Sequence, residues 1–410
     1  MQQTSTIPWN AWFSEDEKLN LSFPNSWKVT MCNMDDAPGL SKKAIEAAFE
    51  APIETGKIRN LAKGKRTAAI VIDDISRPTR GEDILTVLID EMEKGGIQKK
   101  DIKIIMALGG HRPMMREDLI KKVGEKIYNE VDVMNHYLYE NLVTCGESKI
   151  GTPIKINRYF MESDLKISVS CIIPHEWAGF GGGSKNIVPG VAGIETLISN
   201  HTMVHGSYKG LTGICDPNPL RADIENIAQL IGLDAIVNVV TNMQRDTVGV
   251  FVGDSIKAHR KGVELAKKAY ATELVYDQDV VILNAFPKDT EILQITNALN
   301  IFHLPKKEIV KKDGIIILSS ACFEGRGFHA IMGHGTPLEY DLEDVEKLFE
   351  GRTGVVFSPN LNHHDMKYYF PDSIPLFNDW EKLIQFIREQ VKTDPQVAIY
   401  PTASLQLPKD

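Results

Sequence analysis

Three stretches of the chain gather side chains that can move protons, pair with anions or hold a metal. The densest runs over residues 174–205, from PHEWAGFGGGSKNIVPGVAG to HTMVH. It places His175 after an apolar run, Lys185 in a glycine-rich loop, and His201 and His205 one helical turn apart. An imidazole titrates near neutrality, an amine pairs with anions or attacks electrophiles, and two imidazoles at i, i+4 share a helix face where they could ligate a metal. A dinucleotide fingerprint would need a third glycine where Ser184 stands, and a mononucleotide loop would need Ser or Thr after Gly-Lys; this loop has neither. What remains is a set of backbone N–H groups at Gly182, Gly183 and Ser184 able to form an anion nest. Beside them, Lys185 is either an ion-pair donor or a point of covalent attachment. HTMVH lacks the glutamate of HExxH, which argues against a zinc protease. Its histidines read either as core packing or as ligands for a metal that accepts imidazole, nickel included.

The second stretch, DDISRPTRG (73–81), carries Asp74 and Arg77. Arg77 is a planar fork that matches a carboxylate or phosphate, while Asp74 or Ser76 could equally cap the helix that comes next. The third, ALGGHRPM (107–114), sets His111 behind two glycines that let the backbone approach a ligand. Further on, NAFPKDTEILQITNAL (284–299) offers Gln294 and Asn297 three residues apart as amide hydrogen-bonders. GICDPNPLRADIENI (213–227) reads as a turn and a capped helix, and His363 and His364 lack ligand spacing and read as loop.

The elements that must position these groups alternate short β-branched runs with longer amphipathic ones, the pattern of an α/β fold. Strands are expected at 67–73, 102–108, 130–134, 165–173, 235–241, 247–252, 278–284, 313–319 and 354–358, with helices such as 82–95 and 256–271. Asp74 and Arg77, His111, and His175 each come just after a strand end, where ligands bind in open parallel sheets. The expectation is two α/β domains with mainly parallel sheets and an active-site cleft between them. Residues 1–272 form the first, rejoined by a last strand within 395–410, and residues 273–394 form the second.

Composition excludes other classes. With 410 residues, 43% hydrophobic and 25% charged, the chain is an ordinary globular one. A net charge of -9 argues against nucleic acid. The five scattered cysteines form no framework or zinc knuckle. No signal peptide opens the chain and no apolar run is long enough to span a membrane, so a cytoplasmic location is expected.

Taken together, DDISRPT, ALGGHRPM, PHEWAGFGGGSKNIVPGVAG with His201 beyond it, and NPLRADIEN resemble the nickel-pincer-nucleotide lactate racemase family. The resemblance covers most of residues 60–230 and is looser beyond. It implies an isomerase, a racemase or epimerase that inverts C2 of a 2-hydroxy acid by hydride transfer. The implied cofactor is a pyridinium mononucleotide whose two sulfur arms grip nickel, tethered to Lys185, with His201 completing the metal's ligands. Asp74, Gly182, Gly183 and Ser184 would lie against it. His111 and His175 would alternate as base and acid, with Arg77, Gln294 and Asn297 on the substrate and His205 left to packing. Proteins that build the cofactor are implied partners. One departure stands out: the family carries a lysine where this chain has Asn297, so the resemblance implies an acid longer or more polar than lactate, such as a sugar acid. Lactate itself is the alternative, and a protein that binds a phosphorylated small molecule without turnover is another.

Overall fold

The computed structural model describes residues 2–14, 16–204 and 211–409; His205 lies outside the described residues. Two six-stranded sheets organise the chain. In the first, Ala235–Thr241, Leu165–Cys171, Ala68–Asp73, Ile102–Ala107 and Asp132–Asn135 run parallel in that order, and Thr247–Gly253 closes one edge antiparallel. The central strand Ala68–Asp73 is buried throughout, because a parallel sheet is covered on both faces, and so it reads as an unbroken apolar run. One face packs Ile70, Ile72 and Ile104 on Ile84, Leu85, Leu88 and Met92 of the helix Gly81–Lys94. The other packs Val71 and Ile105 against Phe160, Leu197 and Ile224.

The second sheet is parallel throughout, in the order Leu376–Phe377, Thr353–Phe357, Val310–Ser319, Gln278–Asn284, Gln396–Tyr400 and Lys28–Met31. Here the chain path differs from the expected division at residue 272. Lys28–Met31 forms an edge of the second sheet, and Gln396–Tyr400 lies inside that sheet instead of returning to the first. The hairpin Gln2–Pro8 with Lys18–Pro24 explains the attachment. Its Ile7, Leu21 and Phe23, with Trp27, cover Val280, Ile282 and Ile317 on the second sheet's outer face. Each fully buried side chain of this size contributes about 1.5–3 kcal/mol. Leu407–Pro408 reaches back, to pair with Ala271–Thr272. Trp380 belongs to the same layer, edge-on to Phe23 and Phe357 and donating its indole N–H to the Ser22 carbonyl.

All five cysteines are free. Among the described residues no helix is long and apolar enough to cross a membrane. His363 and His364 begin a short helix, His363–Met366, and do not line the cleft.

Candidate active site

The loops at the carboxyl ends of Ala68–Asp73, Ile102–Ala107 and Leu165–Cys171 meet segments of the second half across one cleft. The cleft encloses about 960 Å³ free of atoms, the open solvent at its mouth included. Asp74, Arg77, His111, His175, Lys185 and His201 line one side, and Gln294, Asn297, Lys288 and His329 the other.

Asp74 is an orienting carboxylate and caps no helix; Arg80 holds the N-cap position of Gly81–Lys94, without a side-chain bond. One Asp74 oxygen accepts from the Ser76 amide at 3.1 Å and hydroxyl at 2.5 Å, and the other lies 2.5 Å from His111 Nδ1. Burial alone would raise its pKa, but the charge and hydrogen bond of His111, with help from Arg77, hold it below the usual carboxylate range. The carboxylate keeps the proton on His111 Nδ1 and leaves Nε2 as a lone pair facing the cleft, 3.4 Å from the Gln294 amide nitrogen. Fully buried Lys122 fixes the turn from beneath, donating to the Asp74 and Arg77 carbonyls at 2.8 and 3.3 Å and pairing with Asp73 at 2.9 Å.

His175 is oriented in the opposite sense. Its Nδ1 accepts backbone N–H groups of Trp177 and Ala178 at 3.2 and 3.3 Å, which places the proton on Nε2. Nε2 lies 2.5 Å from the Lys185 amine. Burial, then the Lys185 charge, lowers the His175 pKa well below its usual value; burial, then Arg77 and Arg221, does the same to Lys185. With Nδ1 taken up by two backbone N–H groups, the imidazole Nε2–H donates to the Lys185 amine.

The glycine loop is held from behind. Fully buried Arg221, on the helix Pro219–Leu230, donates to the carbonyls of Ala178, Phe180 and Gly182, and His259 Nε2 donates to that of Gly181 at 2.8 Å. Gly182 adopts φ +77°, and a Cβ there would stand 2.8 Å from Ile172 Cγ1. The expected nest is only partly available. The Gly181 amide is spent on the Ile173 carbonyl and the Gly183 amide on Asn238 Oδ1. Gly183 and Ser184 lie behind the cleft wall, Ser184 with its hydroxyl buried and unpartnered.

Lys185 comes next, on a 3₁₀ turn, Gly183–Asn186. His201, on the helix Ile194–Thr202, is edge-on to Trp177 with ring centroids 5.6 Å apart. Its Nδ1 makes no hydrogen bond of normal geometry, only a loose approach to the Leu197 carbonyl. Burial, then Lys185, lowers its pKa to about 3, so it is a neutral imidazole with a lone pair to give.

Gln294 and Asn297 lie on a 3₁₀ segment, Ile292–Leu299. Two residues here escaped the sequence reading. Lys288, 1% exposed, donates to Asn297 Oδ1 at 2.8 Å and to the Pro174 carbonyl at 3.0 Å. His329 packs edge-on to His111 at 5.3 Å, and its Nδ1 accepts the Ile331 and Met332 amides at 3.3 and 3.0 Å. The signal for Lys288 was its position just after a buried strand end; for His329 there was none.

These groups and this fold have counterparts. Residues 14–213 match the family described as the lactate racemase N-terminal domain. The lactate racemase of Thermoanaerobacterium thermosaccharolyticum is 31% identical over 308 residues, 74% of this chain and 69% of that protein. The chain belongs to the lactate racemase family. The Lactiplantibacillus plantarum lactate racemase is 28% identical over 337 residues, 79% of this chain and 78% of its own. The solved lactate racemase apoprotein from T. thermosaccharolyticum shares the fold over the whole of both chains, with TM-score 0.78 at 24% identity. A Thermotoga maritima crystal structure covers 91% of this chain and all of its own at TM-score 0.67 and 17% identity. Membership makes the chain a racemase, an isomerase acting on 2-hydroxy acids, in a family that uses a nickel-pincer nucleotide. The residues present fit such a group: Lys185 is a buried amine whose pKa burial lowers, and His201 keeps an imidazole nitrogen without a hydrogen-bond partner.

Proposed function

We propose that this protein inverts C2 of a 2-hydroxy acid in the cleft, with Lys185 tethering the nickel nucleotide and His201 giving its lone pair to the metal. The observation that carries the reading is the meeting of an Asp74-oriented His111, a buried Lys185 and His175 in one space with Arg77. When bound, the cofactor supplies a hydride acceptor and donor. The chain supplies the rest. Arg77 draws in the carboxylate as a charged fork. His111 Nε2 takes the hydroxyl proton while Asp74 stabilises the imidazolium, so the C2 hydrogen can leave as hydride and the carbon becomes planar. His175 Nε2–H, on the adjoining wall, donates to the substrate oxygen. With the hydride donor that the cofactor would supply, His111 would give its proton back to the oxygen and the inverted acid would result. Proteins that build and insert the cofactor are required partners on this reading.

The argument for a longer acid rested on Asn297 standing in place of a cation. Lys288 brings an amine to 2.8 Å from that amide, and the curated relatives are lactate racemases. Lactate therefore leads the substrate panel and a sugar acid forms its second arm. Non-catalytic phosphate binding has less support, because the Gly183 amide is used within the fold and Gly183 and Ser184 do not line the cleft. The test is co-production with the cofactor-building enzymes, then nickel analysis, intact mass and inversion assays on the panel. Protein carrying neither nickel nor an adduct that disappears in Lys185→Ala would sink the proposal.

A further inference from the structure

Resting on that reading, we propose that Lys288 is the second half's cation for the substrate carboxylate, facing Arg77 across the cleft. A lysine is rarely buried unless an anion or a full set of acceptors receives it. Lys288 is 1% exposed and lines the cleft, yet its two acceptors, Asn297 Oδ1 and the Pro174 carbonyl, are neutral and leave a third N–H. Glu176 acts on it through space, and no carboxylate among the described residues is bonded to it. A buried ammonium short of one partner, on the wall of a cleft that takes a 2-hydroxy acid, calls for an anionic ligand group.

The two acceptors give the amine a position as well as a charge. Pro174 immediately precedes His175, and Asn297 lies one 3₁₀ turn beyond Gln294, whose carbonyl accepts from it at 3.0 Å. Lys288 therefore ties the wall that carries His175 to the segment that faces His111. In this chain Asn297 aims the cation and does not pair with the anion itself. The groups acting on the amine are Arg77, Glu176 and Cys171, with His175 and Lys185 beyond the Pro174 carbonyl. Burial first, then Arg77, lowers the Lys288 pKa to about 7. A carboxylate that needs the charged amine should bind less well as pH rises through that value.

The test compares lactate with lactamide, which keeps the hydroxyl and C2 hydrogen but carries no charge. On cofactor-loaded protein, Lys288→Met should raise KM for lactate about 10- to 100-fold, the loss of one charge-assisted bond of about 1.5–3 kcal/mol. It should lower the preference for lactate over lactamide by the same factor, and Lys288→Arg should recover part of it. Equal losses for acid and amide would mean that Lys288 only positions Pro174 and Asn297, and would overturn the proposal, as would no change. Calorimetric binding of both compounds to wild-type protein at pH 6 and pH 8.5 covers a variant that does not fold. Preference for lactate that weakens at the higher pH supports the proposal; equal affinities overturn it. Preserved discrimination without any inversion would sink the racemase reading alone.

Discussion

Replacing Asp74 by Asn exchanges one carboxylate oxygen for an NH2 group of nearly the same shape. In the native site one oxygen serves Ser76 through two bonds, at 3.1 and 2.5 Å, and the other receives His111 Nδ1–H at 2.5 Å. If the amide keeps its oxygen toward Ser76, its NH2 faces Nδ1–H and two donors meet. If it turns over, the same conflict moves to the Ser76 amide. In the first arrangement the imidazole escapes by carrying its proton on Nε2, the atom that must accept. Holding the base tautomer then loses one charge-assisted bond, about 1.5–3 kcal/mol, and leaves a buried donor unpaired at about 1–3 kcal/mol. The sum, about 2.5–6 kcal/mol, corresponds to a fall of roughly 10²- to 10⁴-fold in kcat. The assay is inversion at saturating substrate, in both directions, on protein whose nickel content and Lys185 adduct match wild type. A loss of less than about tenfold with loading intact would refute the claim that Asp74 sets the tautomer of His111.

The same contacts lead to other outcomes. Arg221→Met strips charged donors from three loop carbonyls, at about 1–3 kcal/mol each. Calorimetry should show Tm lowered by roughly 10 °C, and cofactor loading should fall with it. Lys185 has a folded-state pKa well below 10.5, so between the two values the unfolded chain binds the extra proton and stability rises with pH. In the cofactor-free protein, urea midpoints at pH 7, 8.5 and 9.5 should climb more in wild type than in Lys185→Met; parallel curves would mean that the amine is charged in the fold. His175→Gln keeps an N–H donor at the same reach and should retain at least tenfold more kcat than His175→Ala, whereas His111→Gln should be no better than His111→Ala.

Much of this site was legible because its groups stand at strand ends. Ala68–Asp73, Ile102–Ala107 and Leu165–Cys171 are buried runs that announce themselves, and a parallel sheet brings the loops after such strands to one edge. Asp74, Arg77, His111 and His175 were therefore found together. The division of the chain was less legible. Lys28–Met31 is four residues long and half-exposed, so nothing in it marks the second sheet as its home; the covering hairpin decides that through contacts hundreds of residues apart. The supports of the glycine loop were hidden for a different reason. Arg221 and His259 bond backbone carbonyls, and any residue has a carbonyl, so no side-chain pairing pattern betrays them. Lys288 stands in the same stretch as Gln294 and Asn297, but its burial depends on Pro174 and Asn297 converging on one amine, which only the folded chain shows.

The two histidines are unequal, and the inequality bears on how one site serves both enantiomers. A cationic His175 would point Nδ1–H at two backbone N–H groups, a conflict that His111 does not face, because Asp74 welcomes its charge. On the proposed reading, proton uptake would therefore fall to His111 for either hand of substrate, while His175 would polarise the oxygen without changing its own charge. Tethering sharpens this division. On the proposed reading a Lys185 nitrogen bound to the cofactor would no longer receive the Nε2–H of His175, which would turn to the substrate oxygen instead. Inversion then depends on the planar keto acid presenting its other face while its oxygen stays within reach of the same two imidazoles. The carboxylate is the natural pivot for that turn, since Arg77 and Lys288 reach the cleft from opposite halves of the chain and hold it without touching C2.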